Sequence, residues 1–228
     1  MKILSQPKKI IYIVVALLII AAGVFSLVQY QRKQAPRHDL TFAQVKQLPE
    51  KQKKRVLEAR EKELKKQYDA LSKDAGVSEK YLLYTSLAEV YIELGKYQEA
   101  IKMLEIMPAE KINNSRVTYA NALAYRGLGD NSRAKIYYVK TVELDDSNVD
   151  AWKGLFEVSP NATKEELANW YSLSVKATKN NLDLVIGYAR FLESVGDKEK
   201  AIIYWETARN VNPDGAEEYA KEIERLRQ

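Results

Sequence analysis

The chain contains no cysteine in 228 residues, which excludes disulfides, thiolate zinc sites and cysteine nucleophiles. Its one histidine, His38, has neither a second histidine nor a carboxylate cluster beside it, so it fits neither a metal site nor a general base. Proline (6) and glycine (9) are sparse, which favours long helices over an all-β fold with many tight turns. A phosphate-cradling glycine loop, a nucleophile elbow and a paired-carboxylate motif are all missing. These absences lead to the expectation of a non-enzyme with no catalytic residue, cofactor or metal. Asp145-Asp146, followed by Ser147-Asn148, reads as a loop and helix cap rather than a calcium loop. Asn113-Asn-Ser115 and Asn161-Ala-Thr163 match glycosylation acceptors at a frequency chance supplies.

What is present is unevenly distributed. The net charge of +5 conceals a basic N-terminal third and a mildly acidic remainder. Residues 32–73 carry 13 Lys/Arg against 6 Asp/Glu, whereas residues 74–228 carry 20 against 25. A nucleic-acid-binding domain would place its positive charge on the folded part, so no nucleic-acid partner is expected.

From Ile10 to Val28 run 19 residues whose only polar members are Tyr12 and Ser26. A helix of that length spans about 29 Å, the thickness of a bilayer's hydrocarbon core. Tyr12 and Tyr30 sit where amphipathic rings favour the headgroup region, and Lys8-Lys9 and Arg32-Lys33 bracket the span. The expected organisation is a tail at 1–9, a transmembrane helix at 10–30 and a basic helical stalk at 31–76. Ala21-Ala-Gly23 would suit signal-peptide cleavage, but the apolar run continues through Val28, which favours an uncleaved signal anchor. Flanking charge does not orient the span: Lys2, Lys8 and Lys9 on one side balance Arg32, Lys33, Arg37 and Lys46 on the other. A short tail before one span favours an extracytoplasmic domain, periplasmic or cell-surface. The basic run Lys51-Gln-Lys-Lys-Arg55 keeps a cytoplasmic orientation open.

The segment from Pro49 to Lys73 is free of glycine and rich in helix formers. Leu57, Leu64 and Leu71 recur at seven, but Arg60, Glu61 and Gln67 occupy the companion seam positions. The pattern favours a solvated helix resting one edge on its own domain over a coiled-coil homodimer.

Beyond Gly76 the chain repeats itself. Tyr91/Tyr125, Gly95/Gly129 and Ala100/Ala134 are pairs of like residues 34 apart. Tyr84, Leu87, Ala88, Tyr91, Gly95, Tyr97, Ala100 and Leu104 follow the order of an aromatic, Leu, a small residue and Tyr, then a glycine turn and a second helix. Ala122, Tyr125, Gly129, Ala134 and Tyr138 repeat it, and Ala189, Leu192, Gly196, Ala201, Trp205, Ala208 and Pro213 restore it later. Between them Trp152 and Ala168 keep the phase, 34 after Thr118 and Ala134. There Ser159-Pro160 stops the first helix early and no glycine occupies the turn. Thr163-Lys-Glu-Glu166 is a capping box that restarts it. Tyr219, Ile223 and Leu226 share one face of a closing helix.

On these residues residues 77–228 resemble the tetratricopeptide repeat family. The resemblance implies an all-α, right-handed α-solenoid of about four helix pairs, at 80–112, 114–147, 148–180 and 181–213, with a capping helix at 214–228. It also implies a protein-binding groove lined by the first helix of each pair, carrying Thr85, Glu89, Tyr119, Leu123, Lys153, Ile186 and Arg190. The family's chaperone-tail clamp needs Lys and Asn at set first-helix positions. Thr85, Glu89, Tyr119 and Leu123 stand there instead, which argues against that specialised activity. The expected role is a non-catalytic, membrane-anchored scaffold binding a partner protein at the membrane surface. The alternative is an accessory or assembly factor of a cell-envelope machine for translocation, secretion or pilus assembly, its span contacting membrane subunits.

Overall fold

The computed structural model describes residues 40–228. The expected tail, the span at 10–30 and His38 lie outside the described residues. Among those described, no helix is long and apolar enough to cross a membrane, and there is no strand.

The chain divides into two compact units, one ending at Arg60 and the other comprising Glu61–Gln228. The division falls within a helix. In the first unit, α1 (Phe42–Lys46) begins with a reciprocal capping box between Thr41 and Gln44. The Arg60 guanidinium donates to the Leu40 carbonyl and lies over the Phe42 ring, 5.2 Å from its centroid. Helix α2 (Glu50–Ala70) follows Pro49 and contributes its last ten residues to the second unit.

Those ten residues lie along the repeats. Leu64 and Leu71 pack against the repeat core, and Tyr68 meets Tyr84 with ring centroids 5.9 Å apart. Glu61 is buried and accepts hydrogen bonds from Lys96 Nζ at 2.6 and 2.8 Å, with Lys65 Nζ at 3.1 Å. Burial pushes its carboxyl up, but the bonds from Lys96 and Lys65 outweigh that and hold it below the ordinary glutamate value. Leu64 and Leu71 of the leucine stripe therefore face the chain's own repeats.

Four helix pairs follow: α3 (Val77–Glu93) with α4 (Tyr97–Glu105), α6 (Ser115–Gly127) with α7 (Asn131–Leu144), α8 (Val149–Glu157) with α9 (Lys164–Ala177), and α10 (Leu182–Ser194) with α11 (Lys198–Val211). A single turn, α5 (Ala109–Ile112), separates the first two pairs because Pro108 cannot continue α4. Three pairs turn on a glycine at positive φ: Gly95 at 73°, Gly129 at 76° and Gly196 at 86°. The N–H groups of Lys96, Asp130 and Asp197 then donate back to the carbonyls of Tyr91, Tyr125 and Leu192 at 2.8–2.9 Å, closing each first helix. The side chains of Asp130 and Asp197 cap the next helix. Where the helices cross, Ala88, Ala100, Ala122, Ala134, Ala189 and Ala201 are wholly buried, because only a small residue allows that approach.

The third pair departs from this plan. With Pro160 next in the chain and no glycine to turn on, α8 stops at Glu157, and α9 starts afresh at the Thr163/Glu166 capping box. Ala168, in phase with Ala134, is only partly buried. Helix α9 packs more on α10 of the next pair than on its own partner α8. An aromatic ladder replaces the missing contact: Phe156 stacks on Tyr171 at 4.1 Å, Tyr171 on Tyr188 at 5.5 Å, and Tyr188 meets Tyr204 at 4.4 Å. The array ends on α12 (Ala216–Arg227), which buries Tyr219, Ile223 and Leu226. Each of those side chains contributes about 1.5–3 kcal/mol if fully removed from water.

Candidate protein-interaction face

The first helices α3, α6, α8 and α10 carry the residues that the resemblance assigns to a binding groove. Their charged members pair with one another across the repeats. Arg116 donates to Glu89 through Nε at 2.5 Å and Nη2 at 2.7 Å. Arg126 pairs with Glu157 at 2.8 Å and Lys153 with Asp183 at 2.7 Å. Arg225 of α12 pairs with Glu193. Partners lie 27–32 residues apart in sequence, so each ion pair joins one repeat to the next. The hydrogen bonds that Arg116 donates to Glu89 raise its already high pKa, and the bond to Asp183 does the same for Lys153.

This ladder changes the meaning of several candidates. Glu89 and Lys153 are held by Arg116 and Asp183 and face a partner already neutralised. Thr85 requires a correction: it is 1% exposed, and its hydroxyl donates to the Tyr81 carbonyl at 2.7 Å. Its one hydroxyl proton is committed within its own helix, and its burial keeps the remaining acceptor away from a ligand.

Tyr119, Leu123 and Ile186 are partly exposed, apolar members of this face, and Arg190 is exposed with no ion pair among the described residues. Tyr119 packs its ring 6.2 Å from that of Tyr138. Burial above all, with the Asp150 and Glu93 carboxylates adding to it and Arg126 opposing them, brings its phenol up to about 12. It stays a neutral hydrogen-bonding group at any physiological pH.

Sequence reasoning missed Arg116, Arg126, Glu157, Asp183 and Glu193, the partners that complete the ladder. Opposite charges recurring about one repeat apart would have been the signal. It also missed Gly154, where an added Cβ would overlap the buried Tyr138 ring, with the hydroxyl 2.6 Å away. Gly127 receives Tyr97 and Gly187 receives Tyr171 in the same way, so a tyrosine of each of the first three second helices closes on a glycine of the next first helix.

Among the described residues this face carries apolar surface, the Tyr119 phenol and the Arg190 guanidinium, which forms no ion pair with them. Among the described residues no group of three or more His, Cys, Asp or Glu could hold a metal ion. No curated protein matches the chain. The tetratricopeptide repeat family matches residues 81–105 and 118–148, which cover most of α3 and α4 and of α6 and α7. The first two helix pairs are thus similar to tetratricopeptide repeats, whose general role is to mediate protein–protein interaction without catalysis.

Proposed function

We propose that this chain is a membrane-anchored scaffold that holds a partner protein through its first-helix face. The observation that carries the reading is the ladder itself. With Glu89, Lys153 and their neighbours neutralised in cross-repeat pairs, recognition falls to Tyr119, Leu123 and Ile186, with Arg190 as the unsatisfied charge. A segment presenting apolar side chains and a carboxylate to Arg190 is the complementary ligand. The 19-residue apolar run from Ile10 to Val28 supports the anchor.

The test is affinity capture with the full-length chain, followed by quantified binding of whatever partner it enriches. Tyr119→Ala and Arg190→Glu should each weaken that binding at least tenfold, while Glu89→Gln leaves it nearly unchanged. Undiminished binding by both face variants refutes the reading. Exchange of residues 10–28 for an unrelated apolar span tests the anchor separately. A tether survives the exchange, whereas an accessory subunit whose span contacts other membrane proteins does not.

A further inference from the structure

A cleft of about 870 Å³ opens between the second helices α7 and α9, floored by α8 of the irregular third pair. That volume lies within the range of about 300–1,000 Å³ typical of ligand pockets. Trp152, Leu155 and Val142 line its apolar floor. The indole N–H of Trp152 donates to the Asp146 carbonyl at 2.7 Å, which fixes the ring and leaves its polar edge satisfied. Two leucines stand at its edges, Leu144 on α7 at 49% exposure and Leu173 on α9 at 48%. Trp170 completes the wall.

The charge around this apolar lining is one-sided. Glu143, Asp145 and Asp146 line it from the end of α7 and the loop after it, against Lys176 from α9. Asp145 accepts a hydrogen bond from the Ser147 hydroxyl at 2.7 Å, but none of the three carboxylates forms an ion pair among the described residues. The other nearby cation, Lys135, lies 5.0 Å from the Trp170 ring centroid and is engaged by Glu166 at 3.1 Å. The contrast with the first-helix face, where the acids Glu89, Glu157, Asp183 and Glu193 are all paired, is what gives the cleft its character.

We propose that this cleft docks a short amphipathic helix of another protein, with apolar side chains entering over Trp152 and lysines or arginines meeting Glu143, Asp145 and Asp146. Two roughly neighbouring helices with an apolar trough between them present the surface on which a third helix lays its apolar stripe. The acidic lining selects the sign of the flanking charge and disfavours an anionic lipid surface. The site is separate from the first-helix face and stands or falls independently of it.

Isothermal titration of the full-length protein with two synthetic amphipathic peptides, one of leucine and lysine and one of leucine and glutamate, tests this. Tryptophan emission follows the same titration, since Trp152 and Trp170 line the cleft while Trp205 lies in α11. The lysine peptide should bind with one-to-one saturation and shift the emission; the glutamate peptide should not. The triple variant E143Q/D145N/D146N should weaken binding by about tenfold. Leu173→Ser should weaken it as well, with the far-UV spectrum unchanged. A charge-matched triple on exposed acids elsewhere, E199Q/E217Q/E218Q, should bind like the parent, and so should Tyr119→Ala. Equal loss in the two triple variants would reduce the effect to nonspecific attraction and overturn the proposal. Binding of the glutamate peptide, or insensitivity to both the cleft triple and Leu173→Ser, would also overturn it.

Discussion

Replacing Gly154 with alanine sets two well-known effects against each other at one atom. In the interior of an exposed helix this change stabilises by about 1 kcal/mol, because alanine loses less backbone freedom on folding. Gly154 is in the interior of α8, so propensity alone predicts a more stable protein. The added methyl, however, would overlap the ring of Tyr138, which is 0% exposed and cannot swing into solvent. Overpacking of this kind costs about 1–3 kcal/mol, and overlap with several ring atoms at once places it near the upper end. The net expectation is a loss of about 2 kcal/mol, or about 4–8 °C in Tm for a chain of this size. Urea and thermal unfolding followed at 222 nm measure it. Gly187→Ala is the internal control: its nearest contact would be Tyr171 Cε1 at 3.0 Å, on a partly exposed ring that can yield. That variant should be close to neutral. Combining Gly154→Ala with Tyr138→Leu should cost less than the sum of the two single changes by at least about 1 kcal/mol. A Gly154→Ala protein as stable as the parent would refute the close-approach argument.

Glu61→Gln should destabilise the second unit by about 1 kcal/mol at neutral pH, a modest figure because Lys65 and Lys96 are about half exposed. Since the folded carboxyl lies below its ordinary value, this contribution is present above the unfolded pKa and is lost as pH falls through the folded one. Urea midpoints for parent and variant should therefore converge below pH 4.5, and a constant difference would contradict the assignment. Tyr119 has the opposite sign. Its phenol is raised to about 12, so its contribution is complete below pH 10 and is lost as pH climbs toward 12. Tyr119→Phe should flatten that alkaline loss, and absorbance at 295 nm should show a late-titrating group of buried tyrosines in the parent that loses one member in the variant. Lys179 holds φ at 54° between α9 and α10, a conformation costly for a side chain. Lys179→Gly should raise stability by about 0.5–1 kcal/mol by thermal unfolding.

The repeat was legible because its physics is local and periodic. Gly95, Gly129 and Gly196 mark turns that need positive φ, and the small residues 34 apart mark helix crossings that admit no larger side chain. The Thr163/Glu166 capping box and the Tyr219/Ile223/Leu226 stripe were readable for the same reason, since each depends on residues within two or three turns of one helix. Where the structure departs from the reading, the deciding contact is between repeats. Family position placed Thr85 on a groove, but its hydroxyl closes on Tyr81 and it is buried. Family position placed Glu89 and Lys153 on the first-helix face, where Arg116 and Asp183 pair with them. Spacing kept Ala168 in phase, yet it did not reveal that α9 would pack on α10.

The sequence by itself thus determined the all-α character, the helix pairing and the turn positions, because these follow from spacing and from backbone requirements at single residues. Tertiary structure alone decided which charges pair, that Leu64 and Leu71 are spent on the chain's own repeats, and that a cleft opens beside Trp152. Those outcomes depend on which of several chemically equivalent partners lies nearest in space. For Arg190 no ion-pair partner lies near enough among the described residues, and the 34-residue spacing carries no record of that.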